Sequence, residues 1–554
     1  MSFQLSPGVL VVEKDLTNVI PAVATTIGGF VGDFAWGPVL EPVSVTSELQ
    51  LVREFGKPNS TNAVSFFSAA NFLGYSNNLL LVRAVGTAAK NAVSSGTAVL
   101  IKNTTDWETT YSTGSATVGE FAAKYPGTLG NSLRVSMADS GSFTGWDYED
   151  QFDAAPGTSE YAANVGGSQD EMHIIVIDQD GMITGTPGTV LEKFAGLSKA
   201  VDAKTEQGAK NYYVDVLKDS SKYIWWMDHT TVVAVSGTAW GSAAAGTTFK
   251  VMTADVDVSL TGGTDVSPVS ADLRAGYDLF ENAETLDVNL LITGGISLAD
   301  AAYVITNVAE VRRDCLAFVS PQLASKTSTA VVADRNTLNA NSSFAVMDSG
   351  WKYQYDKYND QYRWIPLNAD IAGICARTDL VADAWFSPGG LDRGQVKNVV
   401  KLSWSPNKAD RDALYKNGVN PVVTFLGEGT VLYGDKTLLK KPSAFDRINV
   451  RRLFIILEKT IAVAGKYQLF EFNDAFTRAQ FLNLVEPFLR DVQGRRGIYD
   501  FRVICDETNN TGEVIDRNEF IADIYIKPAR SINFITLNFV ATRTGVEFSE
   551  VVGA

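Results

Sequence analysis

Residues 446–464 read DRINVRRLFIILEKTIAVA, residues 474–494 read DAFTRAQFLNLVEPFLRDVQG, and residues 499–505 read YDFRVIC. In the first, Leu453, Phe454, Leu457, Ile461 and Ala464 recur at helical spacing, while Arg447 and Arg451 stand four apart on another face. The second opens on Asp474, a residue suited to capping free N–H groups. It carries Phe481, Val485, Phe488 and Val492, meets a strain or kink at Pro487, and stops at Gly494. The third alternates Tyr499, Phe501, Val503 and Cys505 with Asp500, Arg502 and Ile504, the period of a strand. Two helices followed by a strand predict a mixed α and β unit near the C-terminus.

The same reading extends both ways. After the turn-rich residues 506–512, the runs 520–526 and 532–541 complete an antiparallel set. Upstream, Leu273, Tyr277 and Phe280 have helical spacing and precede a buried strand at 288–293, an α/β pattern. Residues 88–263 are rich in Gly, Ser, Thr and Ala and read as strand and loop, with a hairpin turn at Asp178-Gln179-Asp180-Gly181 after the strand His173–Ile177. At 554 residues the chain has room for three or four folded units. The predicted class is a multidomain α/β (α+β) protein.

Charge is unevenly spread. Residues 101–300 hold 28 acidic side chains against 11 basic ones, whereas residues 401–500 hold 16 basic against 11 acidic. The split predicts an acidic part facing solvent and a mildly basic part facing something else, beside the plainer reading of a soluble acidic domain. A net charge of −16 disfavours general binding to nucleic acid or anionic membranes. Glu13, Lys14 and Asp15 lie where a secretory signal needs apolar residues, and the longest uncharged windows, 16–32 and 229–249, are too polar for a bilayer span.

Chemical signatures are sparse. Cys315, Cys375 and Cys505 have no metal-site spacing, and only His173 and His229 offer imidazole. No metal, cofactor or catalytic set is predicted. Gly429–Thr437 has the outline of a phosphate loop, but Asp435 stands before Lys436 and places an anion where phosphate oxygens belong, so a strand-to-loop turn is expected. The pairs Asp178/Asp180, Asp255/Asp257 and Asp410/Asp412 read as solvated turns or faces. The cluster Trp351, Tyr353, Tyr355, Tyr358, Tyr362 and Trp364 reads as a packed strand pair ahead of a sugar or base platform.

Both chain ends hold short β-prone runs, Val9–Val12 beside Gly8 and Val546–Val552 beside Gly545, with no hairpin partner nearby. A lone strand cannot satisfy its own backbone, so each must join a distant sheet of its own chain or a sheet of another subunit.

The C-terminal third resembles the contractile tail sheath proteins of T-even-type bacteriophages. The resemblance is carried by QYDKYNDQYRWIPLNADIAGICART (354–378), VLYGDKT from Val431, AFDRINVRRLF from Ala444, CDETNNT from Cys505, VIDRNEF from Val514 and IKPARSINFITLNFVATRTG from Ile526. Upstream, LSPGVLVVEKD (5–15), WGPV at Trp36, FGKP at Phe55 and YPGTLGN (125–131) follow in the same order. The chain departs from the family where relatives insert a large outer domain ahead of the YPG segment; about forty residues separate Val85 from Tyr125, too few for a domain.

The resemblance implies an inner α/β domain built from both chain ends, with protruding domains inserted. The implied layout is an N-terminal arm at 1–22, a protruding region at 23–344 with a reduced insertion at 88–124, an inner domain at 345–542 and a C-terminal arm at 543–554. It implies a structural, non-enzymatic subunit of a virion tail, assembled in the host cytoplasm, that stacks in hexameric rings around a tail tube protein and contracts to drive it through the host envelope. Baseplate and tail terminator proteins are further implied partners, with no direct nucleic-acid contact and no membrane insertion. Val9, Leu10, Val11, Val12, Glu13, Val546, Phe548, Val551 and Val552 become arms that add strands to neighbouring subunits. Arg447, Arg451 and Arg452 become candidate tube contacts, against the alternative that they bind carboxylates in their own domain or between sheath subunits. A non-viral contractile injection device and a carboxylate-dependent hydrolase are the other readings.

Overall fold

The structure is a computed structural model that describes residues 24–115, 117–533 and 536. It divides into two compact units: a larger one reaching Lys459 without Trp385–Ser387, and a smaller one holding Trp385–Ser387 and the chain from Thr460.

The larger unit is organised by a seven-stranded sheet. In spatial order its strands are Val419–Asn420, Ala345–Asp348, Leu316–Val319, Leu290–Ile292, Gly28–Gly32, Leu79–Arg83 and Pro42–Val45. All neighbours run parallel except the last pair. A parallel sheet needs cover on both faces. Phe30, Leu81, Leu290 and Ile292 pack into one core with Phe66 and Phe72 of the helix Ala63–Leu73 and with Ile371 and Ile374 of the helix Asn368–Val381. Val31, Val82 and Leu291 face the other way, towards Tyr277, Val304, Val308 and Val331. Gly28 and Gly29 are a packing requirement: a Cβ on them would lie 2.6 Å from Phe72 Cε1 and 2.8 Å from Val288 Cγ1.

Ala345–Asp348 and Val419–Asn420 belong to this sheet together with strands from the first hundred residues. The expected break between residues 344 and 345 therefore does not coincide with a structural boundary. The 88–124 segment is likewise built in, with Trp107 stacked on Trp225 at 5.3 Å.

A four-stranded antiparallel sheet, Thr189–Ser198, Glu171–Asp178, Leu133–Asp139 and Val256–Ser259, forms the middle domain of this unit. The expected hairpin after His173–Ile177 exists, but its connection is a loop, residues 179–188, and not a two-residue turn. Asp178 organises that loop and is no solvated turn residue. Its buried carboxylate accepts hydrogen bonds from Ser132 Oγ at 2.6 Å, Thr184 N at 2.7 Å and Ile183 N at 3.0 Å. Burial works against the charge, and these bonds outweigh it, holding the carboxyl below the usual range. Asp257 pairs with Arg134, and Asp410 belongs to the capping box of the helix Lys408–Lys416. The aromatic cluster is the antiparallel pair Trp351–Asp356 and Gln361–Pro366. Tyr353 lies 4.6 Å from Trp364 and 5.4 Å from Tyr362, so ring faces are occupied by other rings.

Asp348 ends a central strand of the large sheet, fully buried, with Ser320 Oγ at 2.6 Å and Gly350 N at 2.9 Å. Burial pushes its carboxyl up to about 8. The unfolded chain releases this proton near the ordinary carboxylate value while the folded chain keeps it. The associated stability is complete below about pH 4 and is lost as pH rises towards 8, at up to about 1.4 kcal/mol per pH unit. Asp348→Asn is expected to flatten the fall in stability between pH 5 and 7.5, measured by urea unfolding across that range; an unchanged slope would contradict the assignment.

In the smaller unit the helix Ala475–Gly494 starts as expected, with Asp474 Oδ1 accepting from Thr477 N at 2.8 Å. It runs continuously through Pro487. Phe481, Val485, Leu489 and Val492 form its buried stripe. The strands Ile498–Ile504 and Asp523–Pro528 pair antiparallel. The second begins later than the expected residue 520 because Asn510 takes both backbone groups of Ile521, at 2.9 and 2.7 Å. Most of the expected strand 532–541 lies outside the described residues.

Candidate assembly surface

The three arginines stand at the start of the helix Ile448–Lys466. Arg447 Nη1 donates to Asp435 Oδ1 at 3.0 Å and also bonds the Tyr415 hydroxyl. Arg451 reaches Glu458 at 3.2 Å, with its guanidinium 4.3 Å from the Phe344 ring centre and 4.7 Å from that of Phe445. Arg452 forms a two-pronged pair with Asp379, at 2.7 and 2.5 Å, and donates to the Cys375 carbonyl at 3.1 Å. Arg451 and Arg452 are buried. Arg447 stands in extended backbone just before the helix, so the expected i, i+4 stacking with Arg451 does not form, and the carboxylate partners of all three arginines come from their own unit, which favours the intradomain alternative named for them above.

The phosphate-loop outline is also absorbed into structure. Gly429–Leu432 is a strand paired with Val422–Phe425, Asp435 is the carboxylate that binds Arg447, and Lys436 Nζ donates to the Tyr415 carbonyl at 2.9 Å. Burial pushes the thiols of Cys315 and Cys375 up to about 12, which disfavours the nucleophilic thiolate. Among the described residues no group of three or more His, Cys, Asp or Glu side chains is placed to hold a metal ion, and no helix is long and apolar enough to cross a membrane.

What the smaller unit displays is apolar surface. Tyr467, Leu469, Phe470, Phe472 and Phe476 crowd the stretch from the end of the helix Ile448–Lys466 to the start of the helix Ala475–Gly494, and all are exposed; Phe470 is as open as in an extended chain, at 105%. Tyr499, Tyr525 and Ile532 are exposed as well. The connection is braced from behind. Asn473 Nδ2 donates to Glu519 O at 2.8 Å and Asn510 Oδ1 at 3.1 Å, and Arg478 Nη1 donates to Asn473 Oδ1 at 2.8 Å. Sequence reading passed over this segment because its apolar residues follow neither the helical nor the strand period; their density was the available signal. The paired strands of this unit have no third strand among the described residues, which leaves two outer edges. The predicted arm residues Val9–Glu13 and Val546, Phe548, Val551 and Val552 lie outside the described residues.

Comparison with known proteins places this architecture. Residues 271–438 match the phage tail sheath protein central domain, residues 440–542 the phage tail sheath C-terminal domain, and residues 25–84 the N-terminal region of domain III of the tail sheath protein Gp18. The tail sheath protein of Vibrio phage KVP40 is 36% identical over 677 residues, covering 99% of this chain and 100% of the relative. That of Enterobacteria phage T4 is 32% identical over 686 residues, covering 99% of each. These alignments are longer than the 554-residue chain, so each relative carries positions with no counterpart here. In fold, the chain is similar to a sheath tail protein from Listeria innocua (TM-score 0.54, 12% identity, covering 92% of this chain and 96% of that one). It is likewise similar to the contracted helical sheath of the anti-feeding prophage (TM-score 0.51, 13% identity, covering 97% and 99%). With a relative more than 30% identical along nearly its whole length, and with its fold matched by other sheath proteins, the chain belongs to the phage tail sheath family.

Proposed function

We propose that this chain is the repeating subunit of a contractile tail sheath, stacking as hexameric rings around a tail tube and shortening to drive the tube forward. The observation that carries the reading is the smaller unit, which leaves nine large apolar side chains exposed and contains a sheet with only two strands among the described residues. Isolated two-stranded sheets are marginal in water, and a concentration of exposed aromatic and aliphatic side chains such as that at 467–476 favours a contact with another protein. The arms Val9–Glu13 and Val546–Val552 supply strands to such edges in neighbouring subunits, so that subunits rearrange while remaining linked. Contraction then runs from a metastable extended lattice to one with more surface buried between subunits, and needs no nucleotide hydrolysis. The tube, baseplate and terminator proteins are the remaining partners in this scheme, which assembles in the host cytoplasm. Relatives at 32–36% identity are named as phage proteins, which favours a phage tail over a non-viral injection device.

Negative-stain microscopy of the purified protein tests the proposal. Striated hollow tubes are the expected result, and a stable monomer at every concentration would overturn it.

A further inference from the structure

Three upstream segments that carry the family resemblance, WGPV at Trp36, FGKP at Phe55 and YPGTLGN at Tyr125, meet at one place in the larger unit. That place is the joint where the middle domain leaves the seven-stranded sheet and returns to it. Two crossovers make the passage, and Lys90 and Thr264 bond each other there through both backbone groups, at 3.2 and 3.0 Å. Beside them, Arg83 ends a central strand of the sheet with its side chain only 1% exposed. Its Nε donates to the Phe34 carbonyl at 2.8 Å, its Nη1 to that of Gly37 at 2.9 Å, and its Nη2 to that of Pro126 at 2.7 Å. The first two acceptors belong to the segment after the first sheet strand, and the third to the middle domain.

Trp36 makes the same link with apolar surface. Its backbone N–H donates to the Phe55 carbonyl at 3.1 Å, while its ring sits in the core of the middle domain, edge-on to Tyr125 at 5.4 Å. Two glycines permit this closeness. Gly37 (φ +101°) would carry a Cβ 2.7 Å from the Phe55 ring, and Gly127 (φ +136°) one 2.7 Å from Asp265 Oδ1. Asp265 in turn accepts from Thr128 N at 3.2 Å.

A flexible hinge presents few buried contacts and solvated backbone bonds. This joint has the opposite character: a buried guanidinium spread over three carbonyls, an inserted indole, and crossovers paired to each other. We propose that it is a rigid weld, by which Arg83 and Trp36 make the middle domain and the seven-stranded sheet move as one body during any rearrangement of the sheath. The inference rests on the sheath reading for its role and on the joint alone for its mechanics.

Hydrogen exchange on the full-length protein tests it. In the unaltered chain, peptides covering residues 34–37, 126–131 and 264–266 are expected to be protected within about tenfold of the sheet strands. Arg83→Met strands three carbonyls and is expected to speed exchange at those peptides by roughly ten- to a hundredfold, with Arg83→Lys intermediate and the strand Glu171–Asp178 unchanged. Rapid exchange at the joint in the unaltered chain would overturn the weld, as would an Arg83→Met protein whose joint is as protected as before. If Arg83→Met does not fold, the measurement on the unaltered chain still decides. Tube formation, scored separately by microscopy, reports on the sheath reading and not on the weld.

Discussion

Arg452→Met is expected to lower the stability of the larger unit by about 3–5 kcal/mol, with the loss visible in the isolated subunit before any assembly. The guanidinium holds both oxygens of Asp379, and the two side chains are only 5% and 6% exposed. Removing the cation leaves a carboxylate with neither water nor partner, and it also strips donors from the carbonyls of Cys375 and Thr25. Arg452→Met combined with Asp379→Leu is expected to recover much of the loss, because a buried pair replaced as a whole by apolar groups of similar volume is often near neutral. Urea unfolding of the two single variants and the double variant closes the cycle. A tube contact predicts another pattern: monomer stability within about 0.5 kcal/mol of the unaltered protein, as for surface substitutions, with sheath-to-tube attachment weakened. Arg451→Glu extends the comparison. Normal tails with unchanged attachment would remove that residue from the tube interface too.

The arginines show where sequence reading stops. The Asp474 cap and the alternation through Ile498–Ile504 are local information and were readable, whereas Arg447 stands in extended backbone just ahead of the helix Ile448–Lys466 and does not share a helical face with Arg451. What those residues meet is not local. Asp379 lies 73 residues from Arg452 in sequence, and no period or motif links them. The large sheet was hidden for the same reason. It pairs Gly28–Gly32 with Leu290–Ile292 across nearly half the chain, and two of its strands have only two or three residues. A strand reading GGFVG has poor intrinsic propensity; its glycines make sense only once Phe72 and Val288 are seen pressed against them. Asp178 was misread because a carboxylate in a turn-like string is usually wet, whereas here the loop folds over it and supplies the donors. Family resemblance crossed some of these gaps because the order of motifs carries long-range information that composition and periodicity lack. It still located the domain break at residue 344, inside the order of a continuous sheet.

Deleting residues 1–20 is expected to leave a folded subunit that makes no long tubes. In the larger unit the seven-stranded sheet begins at Gly28 and the first buried side chains among the described residues follow it. Thermal unfolding and far-ultraviolet circular dichroism should therefore change little. Assembly should change greatly. An added strand of about five residues gains backbone hydrogen bonds at about 0.5–1.5 kcal/mol each and buries alternate Val or Leu side chains at about 1.5–3 kcal/mol each. Against this stands the ordering of those residues, at about 1–2 kcal/mol apiece. The surplus is a few kcal/mol per contact, and losing about 2–3 kcal/mol raises the concentration needed for polymerisation on the order of a hundredfold. Sedimentation across a concentration series, with microscopy of the pellet, measures that shift. Tubes of normal length at the normal concentration would show that the N-terminal run belongs to its own molecule. A truncated protein that no longer folds would point the same way, since an arm given to a neighbour supports nothing within its own subunit.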